Sequence, residues 1–484
     1  MDTRERTLSG RLRTLAAAAL LVGVVTACHG NILDVRDPDV VTPSQLTGPG
    51  AVSPLNAGVI NDFRVSYDSY ALSSGLLGDE FELSGTFSTR IPMDERNMQP
   101  DNGSISPDVY QPVMVSVASA DNAAKLLSAA VSDPDFAEIL GAVREGLARA
   151  QLFGAYGRMF LAEGFCQSIL SNPVTESAPL GSRDRAADAL ALFQKAEATA
   201  NDVGLASVAD AAIVGQGRAL MFLGRYDEAG QAVSSVPVDF VLTVAHSTNQ
   251  DAERNPIYDL TWGDQQALRW TVGNGTDVDR HLEKWPFYDE WVDQGLLIPP
   301  DQHSKTAFNG SSPVSLQTEY GGQDPGGAGP SRTGAGPAAP IVVASGWEAQ
   351  MIRAEAELRS GQLAAAESRV NALLTDAGQA DNPIRRLNPN VPFGAFGPVS
   401  LSPDSALEAN LRQIGRARAA GMWLQGQRQG FTRRLILNDG AAYDFYPQGT
   451  EGSDIAFPIP SQEFDNNPNI ARSCPAGPPW GYQP

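Results

Sequence analysis

The chain has 484 residues, with 35 Lys+Arg against 56 Asp+Glu, a formal net charge of −21, and 42% hydrophobic residues. That is ample for a core and, at 19% charged, unlike a disordered chain; the length corresponds to about three domains or one large composite domain. The acid excess excludes a nucleic-acid-binding surface, which needs a basic face to release counterions, and with lysine only at Lys125, Lys195, Lys284 and Lys305 a polybasic lipid-binding patch is excluded too.

At the N-terminus, Arg4, Arg6, Arg11 and Arg13 precede an apolar run from Leu15 to Ala27. The run is shorter than the ~20 residues of a membrane span but suits the apolar region of a secretory signal. It ends in Val25-Thr26-Ala27-Cys28, which resembles a bacterial lipobox, so residues 1–27 are expected to be removed and Cys28 to be lipidated. The two other cysteines, Cys166 and Cys474, are expected in an export setting where a bridge between them can persist; two unpaired thiols is the alternative. Asn31 to Ser53, with Asp34, Asp37, Asp39, Pro38, Pro43 and Pro49, reads as an extended segment.

From residue 54 onward the pattern is mainly α. Phe136, Leu140, Val143, Leu147, Ala150, Gly154, Gly157 and Leu161 alternate steps of four and three, which predicts a helix from about Pro134 to Gly164 with one apolar face. Its small residues would let a neighbouring helix approach closely. Ala189, Phe193, Ala196 and Ala200 predict a second helix over 185–200, and Val208, Ala212, Gly215, Ala219 and Phe222 a third. Gly224 breaks that helix, and Tyr226 to Val236 starts a partner stopped by Pro237. Gly215-Gln216-Gly217 lacks the third glycine of a dinucleotide loop and reads as helix packing.

The same unit recurs later. Trp347 to Arg359 is a helix, Gly361 the break, and Leu363, Ala366, Val370 and Leu373 line the next helix. Ser402-Pro403 then predicts a capped start to a helix along Leu407, Leu411 and Ile414. Such pairs cannot bury their stripes alone and must stack; with their Gly breaks they look like tetratricopeptide repeats, in blocks of about 116–237 and 346–436. A plain bundle of α-hairpins is the alternative.

Between the blocks, residues 240–345 carry aromatics at irregular spacing among Asp, Asn, Gly and Gln, including Trp262, Trp270, Trp285, Trp291 and Tyr320. Ring faces beside polar planar groups suit sugars, whose C–H faces stack on indole while their hydroxyls bond Asp, Asn and Arg; anchoring long loops onto the helices is the other use of such rings. Catalytic motifs are missing: no Gly-x-Ser-x-Gly, His-Glu-x-x-His or Gly-x-x-x-x-Gly-Lys occurs. His281 with His303, and Asp277 with Asp279, fall short of a metal-ligand pattern, and no cofactor is indicated.

Four motifs in order resemble the SusD/RagB-like outer-membrane nutrient-binding lipoproteins. They are Ile32-Leu33-Asp34-Val35 with Val41-Thr42-Pro43 behind Cys28; Gly78-Asp79-Glu80; Ile352-Arg353-Ala354-Glu355-Ala356 with Gly361, Ala365 and Asn371; and Phe457-Pro458-Ile459-Pro460 with Glu463 and Asn467-Pro468. Ala417-Arg418 and Gln425-Gly426 stand where the family commonly has Glu-Arg and Glu-Gly. The resemblance implies a single composite domain of tetratricopeptide-like hairpins with a loop-rich face that binds a glycan or peptide. It also implies a SusC-like TonB-dependent barrel as partner, display at the outer membrane through the lipid alone, and no catalysis. A lipid-anchored glycoside hydrolase and a repeat scaffold that binds only protein are the other functions considered.

Overall fold

In the computed structural model, residues 48–78, 80–83, 87–170, 179–261, 268–270, 336–387, 397–422, 424–440 and 452–470 are described. The chain divides into a first unit, Met1–Ala51, whose described part is a 3-10 turn at Pro49–Ala51, and a second unit, Val52–Pro484. The segment expected to be extended thus ends sooner than its composition implies, because the first helix already begins at Val52.

The second unit is helical. Its long helices are α1 (Val52–Leu77), α2 (Gln111–Ala130), α3 (Leu140–Gly164), α4 (Ser182–Asp202), α5 (Ala206–Phe222), α6 (Tyr226–Ala232), α7 (Gly346–Arg359), α8 (Leu363–Leu374), α9 (Leu407–Met422) and α10 (Arg428–Asp439). Each of α2 to α8 packs on the helix before it, as hairpin repeats require. In addition α1 touches α3, α3 touches α5 and α5 touches α7, so the odd helices form a continuous inner layer backed by the even ones. The hairpin breaks at Gly224 (φ +76°) and Gly361 (φ +79°) adopt the left-handed backbone that glycine takes without steric cost.

The apolar stripes do what their spacing dictates. Val143, Leu147, Ala150, Gly154, Gly157 and Leu161 of α3 are all buried. A Cβ added to Gly157 would lie 2.6 Å from Val117 on α2, so this glycine sets how closely the two helices cross. Gly215 and Gly217 play the same part on α5, where an added Cβ would meet the Phe193 ring at 2.3 Å and Val233 at 2.3 Å. Between α1 and α3 runs a ladder of rings, Phe63 on Phe153 (4.2 Å between centroids) and Tyr70 on Phe160 (4.5 Å).

Two details depart from the sequence pattern. The helix predicted from Pro134 starts as a 3-10 turn, Pro134–Ile139, and becomes α-helical only at Leu140. Ser402 does not cap α9, which begins at Leu407; its hydroxyl accepts instead from the Asp404 N–H, and Asn410 folds back to hold the Ser402 backbone. Local side-chain bonds have won over the helical start.

Strands are short and occur in pairs: β1 (Phe81–Leu83) with β5 (Leu268–Trp270), β2 (Gln167–Ser168) with β3 (Leu180–Gly181), and β4 (Val241–Val244) with β6 (Ile341–Ser345), all antiparallel. The last pair brings together the two ends of the region between the repeat blocks.

Helix α10 closes the inner layer, packing against α1, α3 and α5, and buried arginines tie the layer together. Arg218 (α5) forks onto Glu163 (α3) at 2.7 and 2.6 Å and reaches to 4.0 Å from Glu348 (α7). Arg434 (α10) and Arg359 share Glu355 (α7), with Arg434 Nη1 at 2.8 Å and Arg359 Nε at 3.0 Å from Oε1. Arg433 donates to the carbonyls of Ala162 and Glu163 where α3 ends, at 2.6 and 2.8 Å. Gly430 has no side chain to come between: a Cβ there would lie 2.6 Å from the Glu163 carboxyl carbon.

Burial acts to raise the Glu355 carboxyl, but Arg434 and Arg359 outweigh it and hold the group at about 2. An unfolded glutamate titrates near about 4.3. The stabilisation from this group is therefore complete above that pH and disappears as pH falls from about 5 toward 2. Glu348 moves the other way, raised by burial against the pull of Arg218, so its charge costs stability at neutral pH. Replacing Glu355 by Gln should lower unfolding stability at pH 7 by about 3 kcal/mol, the range for breaking a buried pair, and should flatten the loss between about pH 5 and 3. Denaturant melts across that range measure both; an unchanged acid slope would remove Glu355 from the account. Gly215→Ala should cost about 1–3 kcal/mol through overpacking against Phe193, read as a lowered Tm.

Candidate functional site

The C-terminal half of α1 presents Ser69, Leu72, Ser73 and Leu76, at spacings of three and four, on one helical face. Opposite them stand Arg90 and Met93 from the short helix at Ile91–Asp94 and its start, Pro107 and Asp108 from a single π turn at Ser106–Tyr110, and Leu260 from the short helix Pro256–Thr261. Together they line an open cleft of about 140 Å³. The π turn leads directly into α2 and aims Asp108 across the cleft; such turns are frequent where a helix serves a site.

The lining has two characters. Leu72, Leu76, Met93 and Leu260 make an apolar floor, while Ser69, Arg90 and Asp108 supply a hydroxyl, donors and an acceptor; Ser73 is buried, its hydroxyl donating to the Asp108 carbonyl at 3.4 Å. Arg90 Nε donates to Asp108 Oδ2 at 3.0 Å, and both side chains keep about a quarter of their surface in solvent. The Arg90 guanidinium also lies 5.0 Å over the Phe87 ring, which is 48% exposed. An exposed ring beside a half-solvated Arg–Asp pair can stack on one face of a sugar and bond its hydroxyls. At this size the cleft has room for a single ring-sized group, below the ~300 Å³ at which whole-ligand pockets begin.

Of the rings singled out from composition, Trp270 lies on described backbone: it ends β5 and pairs with Phe81 on β1. β1 packs on α1 and on the Ile91–Asp94 helix, and β5 on the Pro256–Thr261 helix, so this ribbon belongs to the same end of the molecule as the cleft. Trp262, Trp285, Trp291 and Tyr320 lie outside the described residues, as do Cys28, Asp277, Asp279, His281, His303 and Cys474. Cys166 is buried and disulfide-bonded, its partner lying outside the described residues. Phe87, Arg90 and Asp108 escaped sequence reasoning: no spacing rule joins them. For Phe87 and Arg90 the available signal was their position just after Gly78-Asp79-Glu80; for Asp108 there was none.

That motif is itself structural at Glu80, which is buried and accepts from the Leu424 N–H at 3.0 Å. Glu163, Glu348 and Glu355 are likewise at most 3% exposed and are neutralised by arginine, so no substrate reaches them. Among the described residues no group of three or more His, Cys, Asp or Glu side chains could hold a metal ion, and no helix is long and apolar enough to cross a membrane.

The sequence matches no protein-family model and no curated protein. Solved structures do match. A SusD/RagB family protein from Bacteroides thetaiotaomicron aligns over 86% of this chain and 94% of its own, with TM-score 0.57 at 11% identity. A protein from Bacteroides vulgatus described as a putative sugar binding protein aligns over 89% and 98%, with TM-score 0.55 at 14% identity. A SusD-like carbohydrate binding protein from Bacteroides fragilis aligns over 87% and 99%, with TM-score 0.54 at 12% identity. With its stacked hairpins, inner-layer closing helix and short paired strands, the chain has the SusD-like fold.

Proposed function

We propose that this chain is a lipid-anchored, non-catalytic binder that captures a carbohydrate oligomer and passes it to a SusC-like TonB-dependent barrel at the outer membrane. The observation that carries the reading is the cleft at the end of α1. An apolar floor, the Ser69 hydroxyl and a half-solvated Arg90–Asp108 pair match the mixed character of a sugar ring, on a fold shared with proteins described as sugar or carbohydrate binders. Trp270, Trp262, Trp285, Trp291 and Tyr320 are assigned to further rings of the oligomer.

A hydrolase needs an accessible pair of carboxyl groups, and the buried glutamates beside α10 do not offer one. A protein-binding repeat scaffold would use the inner layer, which α10 fills. Cys28 is assigned as the acylated first residue of the mature chain, leaving Cys474 as the partner of Cys166.

Affinity gel electrophoresis against a panel of soluble polysaccharides tests the reading. Wild type should be retarded by at least one glycan, and Phe87→Ala, Arg90→Ala and Trp270→Ala should each weaken that retention about fivefold, the effect of about 1 kcal/mol for one ring contact or one hydrogen bond. No retardation on any gel, or retardation of all three variants as strong as that of wild type, would refute the site; release of reducing ends by wild type would replace it with the hydrolase. In cells fed a labelled fatty acid, wild type should carry the label and Cys28→Ser should not.

A further inference from the structure

Among the described residues only two ionisable ones, Arg90 and Asp108, line the cleft, and they face each other. The backbone on both sides of the pair is fixed. The Asp108 N–H donates to the Ser104 carbonyl at 2.9 Å, and its carbonyl accepts from Ser73 on α1. Ser104 Oγ lies 2.7 Å from Thr89 Oγ1, and Asn102 Nδ2 donates to the Thr89 carbonyl at 2.9 Å, so the residue before Arg90 is tied to the segment that leads to Asp108.

Each partner keeps part of its bonding capacity. Arg90 commits Nε to Asp108 Oδ2 and one face of its guanidinium to the Phe87 ring; among the described residues its two Nη groups make no hydrogen bond, and Asp108 Oδ1 accepts none. The pair therefore presents donors and an acceptor side by side, with its charges cancelled. Hydroxyls, which both donate and accept, satisfy such a pair. A ligand carboxylate or sulfate satisfies the arginine alone and brings a second negative charge against Asp108.

The neighbouring charges do not offset this. The elements that line the cleft are α1, Arg90 with the Ile91–Asp94 helix, the Ser106–Tyr110 turn and the Pro256–Thr261 helix. They carry five aspartates (Asp62, Asp68, Asp94, Asp108 and Asp259) and two arginines. The second arginine, Arg64, is held by Asp68 at 3.2 Å and by Asn61 at 3.1 Å. Arg254, just before the last of these helices, forks onto Asp259. At about 0.15 M salt the Debye length is about 8 Å, so charges at the cleft, rather than the net −21 of the whole chain, decide which ligand is admitted.

We propose that the cleft selects uncharged sugar rings over acidic ones and that Asp108 is the specificity-determining residue: it cancels the Arg90 charge, accepts from a ligand hydroxyl and repels a carboxylate or sulfate. The substrate class so named rests on the carbohydrate reading of the same cleft. Arg90 without its partner would select the opposite class, because a guanidinium with an open edge is a fork for planar anions.

Calorimetric titration of the full mature chain with matched polysaccharides tests this. A soluble glucan, mannan and galactan are each used untreated and after oxidation of their primary hydroxyls to carboxylates. At about 0.15 M salt, wild type should bind at least one untreated polymer about tenfold more tightly than its oxidised form, and the gap should narrow at about 1 M salt. Asp108→Asn should move the two forms in opposite directions, about fivefold weaker for the untreated polymer and about tenfold tighter for the oxidised one. Loss of a packing contact or of a recognised hydroxyl would not do so. Adding Arg90→Gln to Asp108→Asn should remove the gain. Wild type binding an oxidised polymer as tightly as its untreated parent would overturn the proposal and leave the carbohydrate reading standing, as would an Asp108→Asn variant of wild-type Tm that weakens both forms alike. Failure of every polymer, untreated and oxidised, would refute the carbohydrate reading and the proposal with it.

Discussion

The fold depends on a set of charges taken out of water. Repeats of paired helices leave an inner concave layer, and in this protein α10 lies in it, carrying Arg433 and Arg434 into contact with α3 and α7 while Arg218 bridges α3 and α5. Burying such groups costs several kcal/mol per ion unless geometry and hydrogen bonds return it. The forked contacts at Glu163 and Glu355 provide that return. The Arg434 fork on Glu355 also makes the closure specific: an apolar helix could slide along the layer, whereas a forked arginine on α10, with Arg433 at the end of α3, fits at one register.

That closure determines where function can lie. With the inner layer filled, the repeats act as a frame, and the binding site proposed above lies at the end of α1, where the π turn before α2, the short helix at Ile91–Asp94 and the segment leading to Leu260 converge. The Arg–Asp pair there differs from those under α10 in one respect that matters for binding. Arg90 and Asp108 keep part of their surface in water, so a ligand hydroxyl can join them without first breaking a sealed pair, and such half-solvated pairs contribute little to stability themselves.

The helices were legible because burial repeats along the chain at the helical period. The α3 stripe, the α4 stripe from Ala189 to Ala200 and the Gly224 and Gly361 breaks could each be read locally, and each is where the pattern puts it. Ser402 was misread since a serine before a proline fits a cap and a local turn equally well, and the choice depended on Asn410, eight residues later. α10 was not read from the sequence as a helix of its own, still less as the closing element: its apolar and charged residues are buried all round, and only the glutamates of α3 and α7 explain why arginines occupy such positions. The cleft was least legible of all. Arg90 and Asp108 are joined by tertiary contact, with no period or motif between them, and Ser69 and Ser73 look like ordinary helix residues until the opposite wall is known. Aromatic composition pointed instead to residues 240–345, of which Trp270 lies on a ribbon at the same end of the molecule as the cleft.

The central claim is that α10 seals the inner layer and leaves the α1 cleft as the place where ligand binds. Hydrogen exchange read by mass spectrometry, with and without a glycan that retards the protein, tests it in one measurement. The account predicts that added glycan slows exchange in peptides spanning 69–76, 87–93 and 105–110, while α10 and the facing turns of α3 and α5 are already slow and unchanged. Slowing centred on α10 and the inner layer, with the cleft peptides indifferent, would contradict it.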